Sequence, residues 1–100
     1  MAPSLNEVHE IVSKAFSNLK KELNVVVEQE IEGSTNILDI LDSIDVVNLI
    51  METESLVEDR YGVYVPLANE ESFDANLSPL LSVSNWEEHV LAMIKENYGQ

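Results

Sequence analysis

Leu41-Asp42-Ser43-Ile44-Asp45-Val46-Val47-Asn48-Leu49-Ile50-Met51 is the stretch on which the reading of this chain turns. A helix is expected from about Ser43 to Tyr61, where Gly62 supplies a stop. Its first half is unusually apolar: Ile44, Val46, Val47, Leu49, Ile50 and Met51 cover more than one face. A helix of a small bundle needs roughly one apolar stripe for its core. The surplus therefore belongs outside, and Ile44 and Met51 are expected there as an apolar surface among acids. Val46 fits either that surplus or a helix buried on two sides. Ser43 stands at the mouth of the helix, where free N–H groups and the dipole favour an anion.

Outward from this segment, the first helix is marked by a capping-box pattern, Ser4 followed by Glu7. Leu5, Val8, Val12, Ala15, Phe16, Leu19 and Leu23 then recur at steps of three and four. Residues 24–41 read as a long connection. Within it Val25-Val26-Val27 is extended chain, Gly33-Ser34-Thr35-Asn36 is turn chemistry, and Ile37, Leu38, Ile40 and Leu41 form an apolar anchor. Beyond Gly62, residues 67–82 hold a short helix around Asn69 to Asp74, with Pro79 blocking its continuation. A last helix opens on a second capping box, Ser84 with Glu87. It carries Trp86, Val90, Met93 and Ile94 on one face, with Leu91 beside them. The expected fold is all-α, a small four-helix bundle in one domain, with a long first loop and a short third helix.

Composition narrows the function. One hundred residues hold one core and no deep substrate cleft. A 45% hydrophobic share is that of a globular chain, so the acidity does not signal disorder. A net charge of −14 disfavours nucleic acid and anionic membranes, and favours partners with basic docking patches. Four of the five basic residues, Lys14, Lys20, Lys21 and Lys95, lie in the first and last helices. Without cysteine there is no disulfide or thiolate chemistry of the chain's own. No basic stretch leads into an apolar run at the N-terminus, so the expectation is a soluble, cytoplasmic monomer.

Hydrolysis by Ser43 would need a histidine base. His9 and His89, on helices whose apolar faces lie elsewhere, read as solvated surface residues. Asp39, Asp42 and Asp45 are spaced by three, but lack the glycine and distant glutamate of a calcium loop. Without a base Ser43 has no chemistry of its own, but it can be the residue on which another enzyme places a group.

The residue 41–51 stretch, followed by Glu58-Asp59-Arg60-Tyr61-Gly62-Val63-Tyr64-Val65-Pro66, resembles the acyl carrier protein family. Members of that family show an Asp-Ser-Leu-like step, an aliphatic helix with a methionine about two turns on, and an aromatic-Gly-x-x-Ile/Val-Pro exit. The resemblance is specific over residues 37–66. It implies that Ser43 carries 4′-phosphopantetheine, transferred from coenzyme A by a phosphopantetheinyl transferase. The thiol of that arm would hold an acyl group as a thioester, so the sulfur arrives with the cofactor. It further implies that Asp42, Ile44, Asp45, Asn48, Met51 and Glu52 dock acyl-transferring, ligase or synthase enzymes. Phe16, Leu19, Val47, Leu49, Ile50 and Trp86 would line an interior for the acyl chain.

Departures from the family pattern point to a specialised, free-standing carrier of a fatty acid, polyketide or other dedicated pathway. Asn48 replaces a common Glu, Ile40-Leu41 replaces a Leu-Gly step, and Glu54 interrupts the inward stripe of a lengthened second helix. Two other readings stay open. One is an aminoacyl or D-alanyl carrier using the same serine. The other is a cofactor-free acidic helical adaptor that binds through the groove beside Ile44 and Met51.

Overall fold

A computed structural model describes residues 3–22, 32–67, 80 and 82–98; the side chains of Ser43 and Tyr98 are outside that description. The described chain is mostly helical, with no strand among the described residues. Its helices are α1 (Leu5–Glu22), α2 (Ile37–Ile40), α3 (Ser43–Tyr61) and α4 (Val83–Tyr98). The all-α expectation holds in that form. The short helix of the fold is α2, a single turn where sequence suggested only an apolar anchor. The segments expected to be extended at Val25-Val26-Val27 and helical at Asn69 to Asp74 lie outside the described residues, as do Leu23 and Pro79.

α1 begins as its sequence suggests. Ser4 accepts the Glu7 N–H on its hydroxyl at 3.3 Å and the Val8 N–H on its carbonyl at 3.1 Å. The Glu7 carboxylate reaches across to α3, where the Tyr61 hydroxyl donates to it at 2.7 Å. The buried stripe is Val8, Ile11, Val12, Ala15, Phe16 and Leu19. Leu5, expected to open that stripe, is exposed at the tip of the helix. Ile11 joins the stripe.

α3 is the central element, and α1 packs on it more extensively than on α4. Val46, Leu49, Ile50 and Val57 are buried in the core, so Val46 belongs to the interior rather than to the exposed surplus. Each such side chain contributes about 1.5–3 kcal/mol when fully withdrawn from water. Thr53 is also buried on this stripe, and its hydroxyl donates to the Leu49 carbonyl one turn back at 2.7 Å. That local bond removes the penalty of an unmet buried hydroxyl.

α4 starts earlier than its capping-box pattern suggests. Ser82 is the cap: it accepts the Asn85 N–H on its hydroxyl at 3.0 Å and the Trp86 N–H on its carbonyl at 3.0 Å. Ser84 lies within the first turn. Its N–H and that of Val83 donate to the carbonyls of Gly33 and Thr35, both at 2.9 Å. Three of the orphan N–H groups of this helix start, those of Val83, Ser84 and Asn85, are thereby satisfied, two of them by the Gly33–Thr35 turn. Val83, Trp86, Val90 and Ile94 are buried; Leu91 and Met93 are half-buried against them.

No helix among the described residues is long and apolar enough to cross a membrane.

Gly62 ends α3 in the left-handed region, with φ 74° and its N–H donating to the Glu58 carbonyl at 2.8 Å. A Cβ there would meet open space, so the cost of adding one is purely conformational. Gly62→Ala is expected to lower stability by about 1 kcal/mol, read from the urea midpoint at unchanged slope.

Candidate functional site

The N-terminal tip of α3 is built by Asp42. Its backbone is extended, and its carboxylate accepts the Asp45 N–H at 2.8 Å while its carbonyl accepts the Val46 N–H at 2.9 Å. The cap is therefore Asp42, and Ser43 is the first helical residue. Upstream, α2 is capped by Asn36, whose side-chain oxygen accepts the Leu38 N–H at 2.9 Å. Buried Ile37 and Leu41 hold the turn against the core, and the Leu41 N–H closes it on the Ile37 carbonyl. The Asp42-Ser43 step thus leaves a pinned segment rather than a free loop.

Around this tip the apolar surplus is outside. Ile44 is 72% exposed, Met51 60% and Val47 40%. The three recur at steps of three and four, on one helical face. Val47 was expected in the interior with Leu49 and Ile50; the structure places it on the outer face, because Val46, Leu49, Ile50 and Thr53 already complete the buried stripe. Phe16, Leu19, Leu49, Ile50 and Trp86 are buried. Asp42 is exposed, while Asp45 and Asn48 are half-buried.

Glu52 differs from the free docking acid that was expected. It is half-buried, and Asn18 of α1 donates its side-chain N–H to it at 2.7 Å. Glu54 likewise faces protein, accepting the Leu67 N–H at 2.8 Å. The histidines are engaged too. His9 is 66% exposed, as expected of a surface residue, yet its Nδ1 lies 2.7 Å from the Glu87 carboxylate. His89 is half-buried, which corrects its reading as solvated. Its Nε2 donates to the Leu67 carbonyl at 2.9 Å, and its ring stacks on Trp86. The Leu67 peptide is therefore gripped on one side by α3 and on the other by α4. Sequence reasoning missed these pairs because partners such as Asn18 and Glu52 lie far apart in the chain.

Other concavities lie away from the α3 tip. A cleft of about 310 Å³ opens between α1 and the start of α4, with Val12, Phe16 and Val83 among its walls and His9, Lys20 and Glu87 among its polar groups. Between α1 and the end of α3, Arg60 reaches Glu10 at 3.3 Å and Glu7 at 3.6 Å. Exposed pairs of this kind contribute at most about 1 kcal/mol. Among the described residues, no group of three or more acids or histidines is placed to hold a metal ion.

Comparison with protein-family models, curated proteins and solved structures found no match for this chain.

The electrostatics of the tip are unusual in one respect. The Asp45 carboxyl is raised above its ordinary value, first by lost hydration and then by repulsion from, and hydrogen bonding to, Asp42. The helix dipole favours an acid at this position, so these effects outweigh it. The carboxylate form is the one that folding disfavours. Its penalty is present at neutral pH and vanishes as pH falls through the raised folded-state value. Asp45→Asn is therefore expected to raise the thermal midpoint at pH 7. That gain should disappear under acid conditions where both carboxyls are protonated, as followed by circular dichroism.

Proposed function

We propose that this protein is a carrier that presents an acyl group on a 4′-phosphopantetheine arm attached to Ser43. The observation that carries the reading is the combination at one helix tip. Ser43 opens α3 directly after the Asp42 cap, and exposed Ile44, Val47 and Met51 continue along the same helix. A helix start on the surface gives a modifying enzyme access to its first residues. The aliphatic face beside it gives that enzyme an apolar contact, and a chain of net charge −14 draws in partners with basic patches.

The residues present fit such a group as a covalent tether, and not as an anion cradle. Asp42 already occupies the Asp45 and Val46 N–H groups, and two carboxylates flank the site. A phosphodiester would add charge where Asp45 is already burdened. Attachment must come from a covalent bond made by a transferase, because the tip offers little affinity for free phosphate. When bound, the arm supplies a thiol that the cysteine-free chain lacks. The chain itself contributes the hydroxyl, its place at a helix start, the acidic surroundings and the apolar docking face. On this reading the three long helices form a bundle of acyl-carrier type, and the buried Phe16, Leu19, Leu49, Ile50 and Trp86 are the side chains that acyl cargo would meet.

A second reading is favoured by the exposure of Ile44 and Met51 themselves: an acidic helical adaptor that binds a partner through this face without any cofactor. One experiment separates the two. Incubation with coenzyme A and promiscuous phosphopantetheinyl transferases should add a single phosphopantetheine by intact mass, and Ser43→Ala should abolish the addition. Wild-type protein that several transferases leave unmodified would remove the basis of the carrier reading. If partner binding then survives Ser43→Ala and is lost in Met51→Glu, the adaptor stands in its place.

A further inference from the structure

One charged side chain is buried among the described residues: Glu87 of α4, at 9% exposure. Withdrawing a carboxylate from water is costly unless donors replace the lost hydration, and its oxygens have room for about four. One oxygen is met, because the Nδ1 atom of His9 lies 2.7 Å from Oε2. Among the described residues Glu87 has no other hydrogen-bond or ion-pair partner.

Glu87 lines the cleft of about 310 Å³ between α1 and the start of α4. That volume stands at the small end of the roughly 300–1,000 Å³ range of ligand sites. Val12, Phe16 and Val83, all core residues, form its apolar floor. The turn at Gly33 forms a further wall. Its carbonyl accepts the Ser84 N–H at 2.9 Å, which seats the turn against the first turn of α4. A Cβ on residue 33 would stand 2.7 Å from the Ser84 hydroxyl oxygen, so glycine permits this close seat. Glu32, the residue before it, adds a second carboxylate to the lining.

Charge decides what such a cleft takes. The lysine in its lining is Lys20, exposed and eleven residues beyond His9 on α1. Eleven helical residues span about 16 Å, whereas His9 and Glu87 are in contact. Lys20 is therefore about two Debye lengths from Glu87 along the helix axis at physiological salt, too far to neutralise it. A chain of net charge −14 also concentrates cations rather than anions at its surface.

We propose that this cleft binds a small organic cation: a primary ammonium donating to Glu87, with an aliphatic or aryl body against Val12, Phe16 and Val83. The ammonium supplies donors for the carboxylate oxygen that His9 leaves open, and the body covers the apolar floor. The site lies away from the α3 tip and does not depend on any group at Ser43.

Titration of isotope-labelled protein with 2-phenylethylamine, followed by NMR, should give saturable shifts centred on Val12, Phe16, Gly33 and Val83. Three comparison probes change one feature each: 2-phenylethanol lacks the charge, methylamine lacks the body, and 3-phenylpropanoate reverses the sign. Each should bind about tenfold more weakly or worse, the scale set by one charge-assisted hydrogen bond or one buried apolar body. Glu87→Gln keeps an oxygen for His9 but removes the charge, and should weaken the amine by a similar factor. Glu58→Gln removes an equal charge from an exposed position on α3 and should leave the affinity unchanged.

No saturable binding of 2-phenylethylamine up to about 10 mM would overturn the proposal. So would equal affinity for any comparison probe, or an affinity that Glu87→Gln leaves intact. Equal losses in Glu87→Gln and Glu58→Gln would also overturn it, since they mark a diffuse cation atmosphere instead of a site. If Glu87→Gln does not fold, the amine measured against the alcohol in wild-type protein decides alone.

Discussion

The buried stripe of α3 is the constraint on which the rest of the molecule depends. Val46, Leu49, Ile50, Thr53 and Val57 can all be withdrawn from water only at one rotation of the helix about its axis. That rotation fixes everything else on the element. It turns Ile44, Val47 and Met51 outward, and brings Glu52 to Asn18 of α1 and Glu54 to the Leu67 N–H. It also sets Tyr61 against Glu7 at the far end. Rotation by one residue position would bring Glu54 and Glu58, or Asp45 and Glu52, onto the buried stripe and expose Val46 and Val57, at about 1.5–3 kcal/mol for each large apolar side chain lost from the core. The exposed apolar face beside Ser43 is thus a consequence of core packing, fixed before any partner is considered.

The acidity of the chain has a structural use that its net charge conceals. With only five basic residues, ion pairing cannot neutralise nineteen acids. Several glutamates instead accept hydrogen bonds from donors on other segments. Glu7 takes the Tyr61 hydroxyl, Glu52 the Asn18 amide, Glu54 the Leu67 backbone and Glu87 the His9 ring. A charged acceptor makes such bonds stronger than neutral ones. They stitch α1 to α3, α3 to the exit segment, and α1 to α4. Asp42 is used as the cap of α3, and carboxylates such as Glu58 and Asp59 are left exposed.

What was legible in the sequence followed the range of the interaction responsible. α3 could be bounded at both ends because its signals are local: Asp42 and Ser43 at one end, Gly62 in the left-handed region at the other. The exposure of Ile44 and Met51 also followed, from counting more apolar residues than one stripe can hold. Val47 went wrong because the count does not say which residue is surplus; the back-bonded Thr53 took a place in the core that polarity alone would have denied it. The start of α4 was misplaced because two of its N–H groups are capped by Gly33 and Thr35, about fifty residues upstream. The Leu67 clamp was invisible for the same reason.

These two levels meet at the tip of α3. A serine that merely capped a helix would use its own oxygen to accept a backbone N–H, as Ser82 does at the start of α4 and Ser4 at the start of α1. Here Asp42 fills that role, and Ser43 follows as the first helical residue. The capping requirement is met without its hydroxyl. The capping that a serine supplies at the other two helix starts is supplied by Asp42 at this one. The raised Asp45 carboxyl is a cost of the same arrangement, since the cap sets two carboxylates against each other at one helix tip.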